Sequence, residues 1–415
     1  MMDTNRLSLD TSATDTQISR LKFDIFDLLW LIAMISNLTF MGVHLLGSTT
    51  LIAAFCMTVI ELFIRTGGKL KLKLLAFPLC YLTFAIFVLA SCIWTETTEV
   101  FSVMWSMIYT SLFAVGLGIY IRSYEKLMKM LHVIAVSIAF FSAVYLITSP
   151  ISSYGTTAMG GITGQWRNVS GYYAVFGFAT FLFLLPTINN FFYKVVYSVM
   201  SLLCVGMGFC TGSRKVILMI LIMTVLFVLT EKGLPKKIGM LLLVVIALFG
   251  FYLFISNMEF LEYSYGDRLM ALFDESLDDG SIVKRDELRE KAFELFLKKP
   301  IFGYGPDAVR YQIGLSGRKG QYAHNNYAEL LADFGIVGTA LFYIIPIKSF
   351  IQSIKYQSKT PFMRYLFIML AVYLFCDWGS ISYNYRFTIA LLTVWLVGGQ
   401  IDISRIISNQ NKASI

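Results

Sequence analysis

A polar segment in the last quarter of the chain has the residue types needed for general acid–base chemistry. Positions 321 to 338 read Gln-Tyr-Ala-His-Asn-Asn-Tyr-Ala-Glu-Leu-Leu-Ala-Asp-Phe-Gly-Ile-Val-Gly, so His324 stands where a polar loop enters an apolar helix. An imidazole there is wet enough to titrate and fixed enough to take a proton from a hydroxyl group. The other two histidines, His44 and His132, have apolar neighbours, which favours packing roles. A lone histidine lacks metal-ligand spacing, so we expect no metal and no cofactor.

Arginines are the second group of candidates, because guanidinium groups bind phosphate oxygens through paired hydrogen bonds. Arg285 and Arg289 lie in a long polar stretch, and Arg214 lies between two apolar stretches. With Arg167 and Arg268, they could form a cationic cup for a diphosphate at the level of the lipid headgroups. Two plainer interpretations stay open. Arg214 could be a snorkelling interfacial residue, and the loop arginines could be solvated charges balanced by nearby acids.

The elements that must position these residues are membrane helices. The mean hydropathy of the 415 residues is +0.68, and only 14% are charged, against about 25% in a soluble domain. So few polar residues could not cover a water-soluble particle, which excludes a soluble enzyme, a disordered chain and a nucleic-acid binder. The net charge of +8 comes from small groups of basic residues between apolar stretches, which indicates membrane orientation. The six cysteines have no paired spacing, so they predict neither a disulfide framework nor a zinc site.

Twelve apolar stretches approach the roughly 20 residues that a bilayer requires. They lie near 26–47, 49–64, 74–94, 100–121, 127–149, 170–189, 192–211, 215–231, 237–256, 327–347, 362–379 and 384–403. Basic residues fall in alternate connections if both termini are cytoplasmic. The predicted organisation is a cytoplasmic tail (1–25), helices 1–9 (26–256), an extracytoplasmic catalytic loop (257–326), helices 10–12 (327–403) and a cytoplasmic tail (404–415).

The long loop is expected to contain an amphipathic helix at 284–298. Leu288, Ala292, Leu295 and Phe296 recur there at helical spacing, and Lys-Pro follows at 299–300. We expect this helix to lie on the outer membrane surface. The next glycines, in Phe-Gly-Tyr-Gly-Pro at 302–306, favour a turn over a phosphate cradle.

These features together resemble the O-antigen ligase and Wzy-type polymerase superfamily. The resemblance rests on the large outer loop, on Arg285 seven residues before Ala292 in a helix that ends in Pro-Ile-Phe-Gly-Tyr-Gly, and on Ala-His-Asn-Asn-Tyr-Ala-Glu at 323–329. It is specific over about 205–345, and Gly-Ile-Thr-Gly-Gln-Trp-Arg-Asn at 161–168 looks like the glycine-rich approach of the family.

The resemblance implies an all-α, GT-C-like, metal-independent glycosyltransferase of the cytoplasmic membrane that uses polyprenyl-diphosphate-linked glycans. It matches Arg214, Arg285 and His324 to the catalytic residues of the family. Arg268, Arg289 and Arg167 would then help to bind the diphosphate. Arg289 could take the place of Arg285 as the match to the loop-helix arginine of the family.

The leading hypothesis is polymerisation of undecaprenyl-diphosphate-linked repeat units into capsule, exopolysaccharide or O-antigen. The first alternative is a ligase that transfers the glycan to lipid A core or another acceptor. The second alternative, from a different class, is a transporter or flippase of lipid-linked glycans. The expected partners are the lipid-linked glycan and membrane lipid, with a flippase and a chain-length regulator of the same pathway.

Overall fold

The structure is a computed structural model that describes residues 22–40, 43–97, 99–149, 163, 166–231, 233, 237–238, 242, 281–315 and 321–413. Within this part of the chain, every regular element is a helix. The helices are α1 (Ile25–Thr39), α2 (His44–Thr66), α3 (Ala76–Ser91), α4 (Val100–Tyr120), α5 (Tyr124–Thr148), α6 (Arg167–Leu184), α7 (Phe191–Cys210), α8 (Arg214–Thr230), α9 (Ser281–Lys298), α10 (Ala308–Leu315), α11 (Asn326–Tyr356), α12 (Pro361–Asp377) and α13 (Arg386–Ala413).

The all-α membrane architecture predicted from composition is confirmed. In the described residues, eight helices are long and apolar enough to cross a bilayer, and α1, α8 and α12 are shorter apolar helices. These elements coincide with eleven of the twelve predicted stretches. Most of the other stretch, 237–256, lies outside the described residues, so the count of twelve stays a prediction.

The boundary between the first two predicted stretches is wrong. We expected it at 47–48, whereas α1 ends at Thr39 and α2 already begins at His44. The Asn37 side chain donates to the carbonyl of Gly47 at 2.8 Å, which ties the first turn of α2 back against α1. The chain therefore reverses before position 47, at a point that a continuous run of apolar residues does not reveal.

The last helix, α13, forms the centre of the bundle. It packs against α1, α3, α4, α5, α11 and α12. Its apolar residues from Ile389 to Val397 are all fully buried, including Trp395. A helix that is apolar on all sides is typical of such a central position, because every face meets another helix.

The two ends of the bundle differ in charge and in attached structure. One end carries α9 and α10, and α4, α6, α8, α11 and α13 begin there; we call it the loop end. At the other end Glu61 pairs with Arg65, Arg122 and Lys126. We call this the basic end, because the described connections there contain Lys69, Lys71, Lys73, Arg122 and Lys359.

The predicted loop helix is present, but its apolar face does not lie on the membrane. Leu288, Ala292 and Leu295 are buried against α10 and the first turns of α11. The expectation of membrane contact is therefore wrong for these three side chains, because protein covers them. Phe293 and Leu297, on the neighbouring face, are more than half exposed.

Candidate functional site

The site is built around a break in α11. Gly335 lies inside this helix with φ 62° and ψ −164°, a backbone conformation that side-chain-bearing residues rarely adopt. The break frees backbone groups, and the segment after α9 bonds them. Tyr304 and Gly305 donate to the carbonyls of Ala332 and Asp333, while Ile336 donates to the carbonyl of Pro300 at 2.8 Å. The glycine-rich segment is thus a turn that completes a broken helix, and its amides at 304 and 305 are occupied.

The Asp333 carboxylate extends the same junction to α10. Its two oxygens accept from the amides of Asp307 and Ala308, both at 3.0 Å, and so cap the start of that helix. Asp307 accepts in turn from Thr97 at 3.1 Å and pairs with Arg310 at 2.8 Å. Burial raises the pKa of the Asp307 carboxyl, and the Arg310 guanidinium acts in the opposite direction. These bonds join the loop to the α3–α4 connection.

His324 lies at the entrance to α11, where its backbone takes a left-handed conformation. Its φ is 52°, which is uncommon for a residue with a side chain, and it is half-buried. The flanking residues hold it in place. The Ala323 amide donates to Glu329 at 2.8 Å, and the Asn325 side chain caps α11 by accepting from Ala328 at 3.0 Å. A strained backbone that its neighbours fix is typical of functional positions.

Asn326, two residues after His324, anchors the α12–α13 connection. Its side-chain oxygen accepts from the amides of Ser382 and Tyr383 at 2.9 and 3.3 Å. Its side-chain nitrogen donates to Tyr343 and Asp377, and the Tyr343 hydroxyl donates to Asp377 at 2.6 Å. We call residues 377–383 the anchored turn, because both of its ends are bonded to Asn326.

A cluster of cations lies on the anchored turn. The ammonium of Lys215, the second residue of α8, donates a hydrogen bond to the Gly379 carbonyl at 2.5 Å. The charges of Arg285 and Arg289 in α9 both act on this ammonium. The guanidinium carbon of Arg289 lies 5.8 Å from the centre of the Trp378 ring. We call Lys215, Arg285 and Arg289 the cationic cluster. Positive charges gathered at one place attract a polyanion, because the anion offsets their mutual repulsion.

The predicted site residues fall into different places. Arg285 and Arg289 join the cationic cluster, and the anchored turn connects them with the segment of His324. Arg214 begins α8 and directly precedes Lys215. Arg167 begins α6 and acts electrostatically on Tyr145. Arg268 lies outside the described residues.

Of the other two histidines, the structure describes the side chain of His132. His132 bonds the Tyr197 hydroxyl at 2.8 Å, which confirms its packing role. The His44 side chain lies outside the described part.

Several residues of the site were not predicted from the sequence. Lys215 directly follows Arg214, and only the arginine was singled out. Trp378 lies at a helix end, where aromatic residues are common. Asn326 was hidden in the histidine motif. The signal that could have found it was the pair of adjacent asparagines, which is one more than a helix cap requires.

A comparison with protein families gives a match over about a third of the chain. Residues 199–343 match the model of a family, Wzy_C, that is described as O-antigen ligase. A comparison with curated proteins gives no match. The matched stretch contains Lys215, Arg285, Arg289 and His324, and it ends before the anchored turn. The chain is an integral membrane protein, and the family match confirms its resemblance to the O-antigen ligase and Wzy-type polymerase superfamily.

Proposed function

We propose that the protein polymerises oligosaccharide repeat units linked to a polyprenyl diphosphate, at the outer face of the cytoplasmic membrane. One observation carries the proposal. Within the anchored turn, the Gly379 carbonyl accepts from Lys215, and the Trp378 ring contacts Arg289. The same turn is bonded to Asn326, two residues after His324. This arrangement supports neighbouring positions for a diphosphate and an acceptor hydroxyl at one end of the bundle. The match to the O-antigen ligase family supports transfer from a lipid-linked glycan, which a polymerase and a ligase share.

The reaction balances without a nucleotide. The acceptor oxygen forms a bond to the anomeric carbon of the donor sugar, and the bond from that carbon to the diphosphate breaks. The electron pair leaves with the lipid diphosphate, whose growing charge Arg285, Arg289 and Lys215 stabilise. His324 takes the proton of the acceptor hydroxyl. In this scheme Arg214 and Arg167 supply further positive charge at the loop end, as Arg268 would.

The charge difference between the ends supports the orientation. Short basic connections favour the cytoplasm, so the basic end faces inward and the loop end faces outward. The surface polysaccharide formed there would be capsule, exopolysaccharide or O-antigen. A flippase would supply the substrate, and a chain-length regulator would act on the product.

A ligase shares the donor chemistry and differs only in its acceptor. The test is incubation of purified protein with lipid-linked repeat units alone. Polymerisation predicts a ladder of products, each longer by one repeat. A ligase gives no product until a second acceptor, such as lipid A core, is added, and that result would overturn the polymerase assignment.

A transporter of lipid-linked glycans is the alternative from another class. Transporters bind their substrates near the middle of the membrane, whereas the cationic cluster and His324 lie at one end of the helices. In cells, His324→Ala and Arg214→Ala are expected to stop chain growth while repeat units still reach the outer face. Unchanged chain length with repeat units retained inside would instead identify a transporter.

A further inference from the structure

A cavity opens at the loop end, among α1, α2, α4, α6 and α13. Its volume is about 410 Å³, and its walls include Asn37, Trp105, Tyr109, Asn384 and Arg386. This size is within the range of small-molecule sites, which combine aromatic walls with a few placed polar groups. We call it the aromatic cavity. The proposed reaction uses none of these residues.

One wall of the aromatic cavity is a pair of stacked rings. Trp105 and Tyr109 lie one helical turn apart on α4, with ring centres 5.8 Å apart and planes inclined by 24°. Trp105 is 56% exposed although it is large and apolar. Flat aromatic faces with polar edges suit ligands that have an apolar face and a hydroxylated rim. A pyranose ring is such a ligand, because its C–H bonds form a face and its hydroxyl groups form the rim.

Arg386 gives the cavity a positive charge. Its guanidinium carbon lies 4.3 Å from the centre of the Tyr109 ring, and its Nη1 donates to Asn37 at 3.3 Å. Asn37 is only 5% exposed, and it is fixed by its own bonds to Ala33 and Gly47. The guanidinium is therefore held in one orientation. Among the described residues that line the cavity, Arg386 is the only charged one. A half-buried guanidinium without a carboxylate in the same cavity favours an anionic ligand, and the planar fork of a guanidinium matches a carboxylate.

The aromatic cavity adjoins the proposed reaction site through the chain itself. Asn384 and Arg386 directly follow the anchored turn, whose Ser382 and Tyr383 amides are bonded to Asn326. Ser106 in α4 donates to the Asn384 carbonyl at 2.8 Å, which fixes this connection against the wall that carries Trp105. A sugar bound in the cavity thus lies next to the segment of His324.

We propose that the aromatic cavity binds an acidic sugar, a pyranose that carries a carboxylate, with its ring on Trp105 and its carboxylate on Arg386. This sugar would belong to the acceptor glycan. The role of this sugar as part of the acceptor rests on the proposed function, whereas its binding to the cavity does not.

The experiment measures binding without turnover. The protein is placed in nanodiscs of phosphatidylcholine, and saturation-transfer NMR titrations compare cellobiouronic acid with cellobiose, which has a hydroxymethyl group in place of the carboxylate. We expect the acid to bind at least tenfold more tightly. Arg386→Gln should remove this preference, and Trp105→Ala should weaken both ligands at least fivefold.

Two controls separate this site from other causes. Arg405 lies 3.8 Å above the ring of Tyr124 at the basic end, so Arg405→Gln removes a similarly stacked arginine and should leave binding unchanged. His324→Ala should also bind the acid normally, because binding needs no reaction. Equal binding of the two disaccharides, or a preference that survives Arg386→Gln, would overturn the proposal. So would displacement of the acid when phosphatidylglycerol is added to the nanodiscs, since the cavity would then be a headgroup site. None of these outcomes depends on whether the protein is a polymerase.

Discussion

At the scale of single residues, Lys215 is the cation that the structure adds to the predicted arginines. Lys215→Met removes the charge at similar volume, so it should lower the polymerisation rate about 10²-fold, as loss of one preorganised donor does. Lys215→Arg should recover only part of the rate, because Gly379 lies so close to the ammonium that a methyl group there would meet Nζ at 2.2 Å. Initial rates of ladder formation measure both effects. If Lys215→Met kept the wild-type rate, the charge of Lys215 would have no role in the reaction.

The two arginines of α9 have different surroundings, which predicts different effects. Arg289 pairs with Asp286 and contacts Trp378, so part of its charge is already compensated. Arg285→Gln should therefore cost about 10²- to 10³-fold in rate, and Arg289→Gln about tenfold.

The matched control for these arginines is Lys291→Gln in the same helix, which removes a cation paired with Glu294 at 3.0 Å and should leave the rate unchanged. Rates are compared at saturating donor, so that turnover is separated from binding. A larger loss of rate in Arg289→Gln than in Arg285→Gln would make Arg289 the principal ligand of the diphosphate.

At the scale of elements, the break in α11 joins the loop to the bundle. A methyl group on Gly335 would lie 2.3 Å from the Ile301 carbonyl oxygen, at a φ of 62° that strains any other residue. Gly335→Ala should therefore lower the stability of the loop by about 1–3 kcal/mol from backbone strain alone. Limited proteolysis of α9 and α10 in detergent should become faster.

Gly314→Ala is the control for Gly335→Ala. Gly314 lies in α10, and a methyl group there would meet nothing within 4 Å. This variant should be as resistant to protease as wild type. If both variants were equally resistant, the break in α11 would not hold the loop.

The sequence predicted the helices better than the contacts between them. Apolar runs and charge placement gave eleven described helices and the loop helix, because bilayer length and backbone hydrogen bonding leave few alternatives. The break at Gly335 was missed, since its backbone partners lie about 30 positions earlier. The histidine motif and the loop helix also pointed to His324, Arg285 and Arg289, and their catalytic role stays a prediction. Neither pointed to Lys215 or Trp378, because the anchored turn that brings them together depends on a bond from Asn326 to residues more than 50 positions later.

At the scale of the whole molecule, a network of buried charges ties together the helices that do not carry the reaction. Glu61 is fully buried and contacts Arg65, Arg122 and Lys126 at 3.1 to 3.2 Å. Arg65 and Lys126 keep their contacts with Asp24, so Glu61→Gln mainly leaves the Arg122 guanidinium without this carboxylate, which should destabilise the fold by about 3 kcal/mol. The midpoint of thermal unfolding in detergent measures the effect. Glu125→Gln is the control, because Glu125 is 65% exposed and its partner Lys129 keeps a second carboxylate, Asp27; an equal shift in both would contradict a special role for Glu61.

The separation of charge between the two ends predicts how the molecule lies in the membrane. Glu290 in α9 and Lys359 between α11 and α12 are both exposed, at opposite ends of the bundle. Basic connections favour the cytoplasm, so a cysteine at 290 should react with a membrane-impermeant maleimide in intact cells. A cysteine at 359 should react only after permeabilisation. Both are introduced after the six native cysteines have been replaced by alanine or serine, and that parent chain is the control. The opposite labelling pattern would place Arg285, Arg289 and His324 in the cytosol, away from any glycan that has crossed the membrane, and a polymerase at the outer face would then be impossible.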